Sequence, residues 1–95
     1  MNKSAKEMFE ELGYKYQQEK YNDNFISYIL IQEVAGYEDH YGITFNSKTK
    51  CYHCWYYGYD DKGKAFYGMN LSINIPLLQA INKQCKELGW LDECI

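Results

Sequence analysis

The sequence predicts an α+β fold: an N-terminal helix, an antiparallel β-meander of four or five strands, and a C-terminal helix, with both helices on one face of the sheet. Three observations carry this expectation. Apolar residues recur at helical spacing near both ends of the chain, the period changes to two across the middle, and turn-forming clusters cut the alternating stretch into hairpin-length runs. Ninety-five residues, 46% of them apolar and 24% charged, are enough for one core and no more, so residues 1–95 read as a single globular domain.

The first element starts at Ser4, which with Glu7 forms an S-x-x-E capping box. Ala5, Met8, Phe9 and Leu12 then share one helical face, and Gly13 is a left-handed stop that Tyr14 can fold back over. Residues 14–20 alternate, with Tyr14 and Tyr16 on one face. "FISYILIQEV", residues 25–34, is apolar on both faces and β-branched, so it reads as a strand or strand pair buried on both sides. In "YGITF" the residues Tyr41, Ile43 and Phe45 share a face opposite Gly42 and Thr44, and "NSKTK" supplies a hairpin loop. "CYHCWYYGYD", residues 51–60, follows as an aromatic strand, and "DDKGK" as the next turn. The last strand places Ala65, Tyr67, Met69, Leu71, Ile73 and Ile75 on one face, Phe66, Gly68, Asn70, Ser72 and Asn74 on the other. Asn74 caps the closing helix, Pro76 sits in its first turn, and Leu78, Ile81, Cys85 and Leu88 form its apolar stripe before Gly89 and Trp90. "FEELGY" and "CKELGW" are one helix ending used twice. Capping chemistry accounts for the likeness, with internal duplication as the alternative.

Composition removes several function classes. No apolar run approaches the roughly 18 residues that span a membrane, and the charged start "MNKSAKEMFEEL" lacks the apolar core of a signal peptide. A cytoplasmic protein is expected, with its four cysteines as thiols rather than disulfides. The net charge of −3, with ten basic residues dispersed among thirteen acids, argues against nucleic acid as partner.

Residues 51–60 pose the functional question. Cys51-x-x-Cys54 has zinc-ligand spacing, with His53 between and Cys85 and Cys94 downstream. A knuckle needs a tight turn, however, whereas Tyr52, Trp55, Tyr56 and Tyr57 favour an extended strand that sends positions 51 and 54 to opposite sides. No metal site and no cofactor are expected, nor a redox pair, whose C-x-x-C would open a helix. Glu38, Asp39 and His40 in "YEDHYG" read as solvated loop residues, and no nucleophile elbow, phosphate loop or zincin motif is present, so no catalytic residue is assigned and the chain is not expected to be an enzyme. The reading that remains is a strand with two uses. Cys51, His53, Trp55, Tyr57 and Tyr59 are expected to join the core, making Trp55 a core residue. Tyr52, Cys54 and Tyr56, joined by Phe66, are expected on a face without helices, as an apolar patch with hydroxyl rims suited to binding a protein. Stabilisation of an open sheet by cross-strand aromatic pairs is the competing account.

The two ends carry a resemblance. Met8, Phe9, Leu12, Gly13 and Tyr14, then Ala80, Ile81, Gln84, Glu87, Leu88, Gly89 and Trp90, follow an MFxxLGY-like start and an AIxxQxxELGW closing helix. In this the chain resembles small uncharacterised proteins encoded by phages and prophages of low-GC Gram-positive bacteria. The likeness covers both ends, and the middle only by pattern. It carries over no catalytic residue. It implies a setting: an accessory phage product in the cytoplasm of a bacterial host cell, where such proteins bind and disable host factors. The expected function is therefore a non-enzymatic phage accessory protein that binds a bacterial host protein, a defence component among the candidates, or associates with itself as a homodimer, through Tyr52, Tyr56, Phe66 and Cys54. The alternative is a binder of a nucleotide-like small molecule, with His40, Lys48 or Lys50 for its phosphate.

Overall fold

The computed structural model describes residues 3–18, 24–59, 65–66 and 72–91, with residues 34, 65 and 66 described by their backbone. In chain order the elements are α1 (Ala5–Glu11), β1 (Lys15–Gln18), β2 (Phe25–Val34), β3 (Tyr37–Asn46), β4 (Cys51–Tyr59), β5 (Ala65–Phe66) and α2 (Ile75–Glu87). The strands form one antiparallel meander in the order β1-β2-β3-β4-β5, and both helices pack on one face of it. The architecture is α+β, as the periodicity indicated.

Both helices begin and end on the predicted chemistry. Ser4 Oγ accepts from the Glu7 amide at 3.1 Å while Glu7 Oε1 accepts from the Ser4 amide at 3.3 Å, closing the capping box. Asn74 Oδ1 accepts from the Leu77 amide at 2.9 Å at the head of α2. At the tail of α1 the Tyr14 amide donates to the Phe9 carbonyl and the Gly13 amide to that of Glu10; at the tail of α2 Trp90 donates to Cys85 and Gly89 to Lys86. These are two copies of one Schellman ending, and they require positive φ at Gly13 (95°) and Gly89 (80°). The two glycines differ in surroundings. A Cβ on Gly13 would lie 3.2 Å from Leu30 Cδ1, whereas one on Gly89 would meet nothing within 4 Å. Gly89→Ala should therefore lower stability by about 1 kcal/mol for backbone strain alone, and Gly13→Ala by more, because Leu30 must also shift. Equal urea midpoints for the two variants would contradict this.

The core lies between the helices and the middle strands. Phe9, Tyr28, Ile43, Phe45 and Ile81 are the largest fully buried side chains. Phe9 stacks on Tyr28 at 3.9 Å between ring centroids, and both meet Phe45 edge-on. Tyr28 reaches across to α2, where its hydroxyl donates to Gln84 Oε1 at 2.5 Å, and Gln84 is the one buried polar side chain among the described residues. Burial, then the nearby Glu87 carboxylate, push the Tyr28 phenol well above its usual range. Tyr28→Phe should cost about 1–3 kcal/mol by leaving a buried amide oxygen unpaired, and pairing it with Gln84→Leu should recover part of that loss. Strict additivity in urea denaturation would show that the contact does not couple the sheet to α2.

Several expectations need correction. β2 is one ten-residue strand, but among the described residues only one of its faces is covered, and Ile31 is 56% exposed. Its connection to β3 is a two-residue turn, Ala35–Gly36, with φ of 52° and 84°, so Glu38, Asp39 and His40 belong to β3 and not to a loop. Of the expected α2 stripe, Ile81 and Cys85 are buried and Leu88 packs against the core, but Leu78 does not join them. Leu77, Ala80, Ile81, Gln84 and Cys85 are buried, while Leu78 is largely exposed. Ile73 precedes the helix outside any strand and Ile75 opens it, so the last strand does not run to residue 75. The "DDKGK" turn, the alternation over residues 67–71, and Cys94 lie outside the described residues.

Candidate binding site on the uncovered sheet face

Antiparallel neighbours share a face, so register decides which side chains sit together. Pairing runs Tyr28↔Ile43 between β2 and β3, then Ile43↔Cys54, Phe45↔Tyr52 and Tyr41↔Tyr56 between β3 and β4. The even positions of β4 are thus on the helix side, opposite to the sequence-based expectation. Cys54 packs against the core; Tyr52 meets Phe45 at 5.9 Å and, with Ile81, Cys85 and Trp90, lines a groove of about 330 Å³ beside α2. Tyr56 donates its hydroxyl to Asp39 Oδ1 at 2.6 Å, and that bond pushes its phenol up to about 12. Phe66 pairs with Gly58 through the backbone. Tyr52, Cys54 and Tyr56, expected in a free aromatic patch, therefore stand on the covered side or beside α2. The reason is loop length: the turn of residues 47–50 has an even number of residues, which pairs odd positions of β3 with even positions of β4.

The free face is carried by the other parity, in rows across the sheet. One row is polar: Gln17, Ser27, Thr44 and His53 lie side by side on β1 to β4. Ser27 Oγ and Thr44 Oγ1 are 2.9 Å apart, and Trp55 Nε1 donates to Thr44 Oγ1 at 3.0 Å. The next row is Lys15, Ile29, Gly42 and Trp55. Its distinctive feature is Gly42, where an ideal Cβ would fall 2.0 Å from Trp55 Cζ2. Only glycine leaves that space, so the indole occupies the side-chain volume missing from β3 and is half-buried, not a core residue. The third row is Ile31, His40 and Tyr57. Tyr57 packs on Trp55 at 5.4 Å with the rings tilted by 56°. His40 Nε2 lies 2.5 Å from Glu38 Oε1, and its ring meets Tyr59 edge-on at 4.9 Å.

Together Gln17, Phe25, Ser27, Ile29, Thr44, His53, Trp55 and Tyr57 line a shallow hollow of about 580 Å³. A second hollow of about 540 Å³, which includes Lys15, Ile31 and His40, shares Gln17 and Ile29 with it, so the two run together along the free face. Among the described residues no lysine, aspartate or glutamate lines the first; Lys15 supplies a cationic end in the second. The alternative ligand set from sequence does not assemble. Lys48 and Lys50 lie in the β3–β4 turn, beyond Asn46 and about 20 Å along the strand from His40 at roughly 3.3 Å per residue. Cys51 is exposed, Cys54 half-buried and Cys85 buried, all as free thiols, and among the described residues no three His, Cys, Asp or Glu side chains cluster to hold a metal. Burial raises the thiol pKa of Cys54 and Cys85, the reverse of what a reactive thiolate needs.

Sequence reasoning missed Trp55, Tyr57, His53, Phe25 and Gln17 as surface residues. The signal that was there is Gly42, since a glycine inside an otherwise bulky strand marks a close approach from a neighbour. No family model, curated protein or solved structure matches the chain. No helix among the described residues is long and apolar enough to cross a membrane.

Proposed function

We propose that this chain is a non-enzymatic binding protein whose working surface is the uncovered face of its sheet. One observation carries the reading: Phe25, Ile29, Trp55 and Tyr57 form a half-buried apolar floor with no second layer over it among the described residues, flanked by the polar Gln17 and His53. An aromatic centre with a hydrogen-bonding rim is the composition of contact surfaces, where few large side chains carry most of the binding energy. The resemblance at the chain ends supplies the setting, a phage accessory product in the bacterial cytoplasm. Within it, a host protein is the first occupant of this face and a second copy of the chain its self-associating form. A nucleotide-like small molecule is the second reading, favoured by the polar row that runs beside the indole.

Native mass spectrometry of the protein purified from a bacterial host tests this. A co-purifying polypeptide or a bound small mass is expected, lost when Ile31→Asp and Tyr57→Ser are combined on the free face and retained when Tyr52→Ser changes the groove beside α2. Retention in the first variant and loss in the second would move the working surface to α2.

A further inference from the structure

The free face offers more than apolar area, and its arrangement restricts what it can take. The Trp55 indole is fixed before any ligand arrives. One face of its six-membered ring fills the space above Gly42, and its N–H is consumed by Thr44, which is itself bonded to Ser27. What the indole can still offer is the π face turned away from Gly42, with Tyr57 tilted against the ring. Beside this plate runs the row of Gln17, Ser27, Thr44 and His53, whose amide and imidazole groups both donate and accept. A stacking plate beside a line of edge-on hydrogen-bonding groups is what a nucleobase requires of a protein, one for its faces and one for its edges. The first hollow, at about 580 Å³, falls within the roughly 300–1,000 Å³ of small-molecule sites.

Charge then selects the form of the ligand. Lys15 stands in the same row as Gly42, two strands away, so its Cα is roughly 10 Å from the plate at the usual strand spacing. That span suits the ribose between a stacked base and its phosphate. Among the described residues Lys15 has no carboxylate partner, whereas His40 is bonded to Glu38, so Lys15 is the anion-binding group. One such cation on this face among the described residues, in a chain of net charge −3, matches one phosphate and opposes a polyphosphate strand.

We propose that the free sheet face binds a nucleoside monophosphate, its base stacked on Trp55 and edged by Gln17 and His53, its phosphate on Lys15. This rests on the reading of the free face as the working surface, takes up the second reading of it, a nucleotide-like ligand, and names that ligand's class.

Titration of the amide and indole NMR signals with AMP, adenosine and inorganic phosphate tests it. AMP should shift the Trp55 indole N–H and the amides of Gln17, Ile29, Thr44 and His53 saturably, and adenosine should shift the same set more weakly. Lys15→Ala should weaken AMP by about tenfold, to the level of adenosine, and leave adenosine unchanged. Trp55→Ala should abolish both, and His53→Ala, which leaves the plate in place, should weaken both. Absence of a saturable shift with AMP in the millimolar range would overturn the proposal, as would shifts centred on Tyr52 and Trp90, or an oligonucleotide binding more tightly than AMP. If AMP fails while a polypeptide is still lost from the Ile31→Asp, Tyr57→Ser variant, the ligand is wrong and the surface stands.

Discussion

Phe9→Ala is expected to leave the chain largely unfolded. Phe9 is fully buried, stacked on Tyr28 and in edge contact with Tyr14 and Phe45, so it ties α1 to β2 and β3 at once. Truncating such a ring costs about 3–5 kcal/mol. A domain of this length has about 5–14 kcal/mol in all. The loss is made worse by geometry, because Tyr28 is held by Gln84 on the far side and cannot swing in to fill the void. Circular dichroism in urea reads the result. The comparison is with Trp55→Ala, which should cost distinctly less because the indole is half-buried on the free face. If Trp55→Ala proved the more damaging of the two, the assignment of faces would be reversed.

Gly42→Ala should have the second largest effect, and a more specific one. The new methyl would coincide with the indole, 2.0 Å from Cζ2 and 2.1 Å from Cε2, so the ring must leave and the Trp55–Thr44 hydrogen bond must break. Overpacking of this kind costs about 1–3 kcal/mol, with about 1 kcal/mol more for the hydrogen bond. The indole N–H resonance should move to the position of a solvent-exposed tryptophan. The decisive measurement is the double variant. With Trp55→Ala already present, Gly42→Ala should be neutral or stabilising, since alanine loses less chain entropy than glycine on entering a strand. Equal costs in both backgrounds would mean that the two residues do not share one space.

The ends of this protein were legible in its sequence because their chemistry is local. A capping box, a left-handed glycine and an apolar residue just beyond it fix a helix terminus within six residues of chain. Ser4, Glu7 and Gly13, and again Asn74 and Gly89, behave as that chemistry requires. The identity of the two faces was legible too in β3 and β4: Tyr41, Ile43 and Phe45 do lie together. Which set of β4 joins them was not. That depends on the number of residues in a turn and on the register it imposes, and a shift of one exchanges every side chain between core and solvent. The sequence by itself determined the class of fold, the helix ends and the alternation within β3 and β4. Only the tertiary structure decided that Tyr52, Cys54 and Tyr56 belong with the helices and Trp55 with the open face, because strand register is a property of two chain segments at once and neither segment encodes it alone.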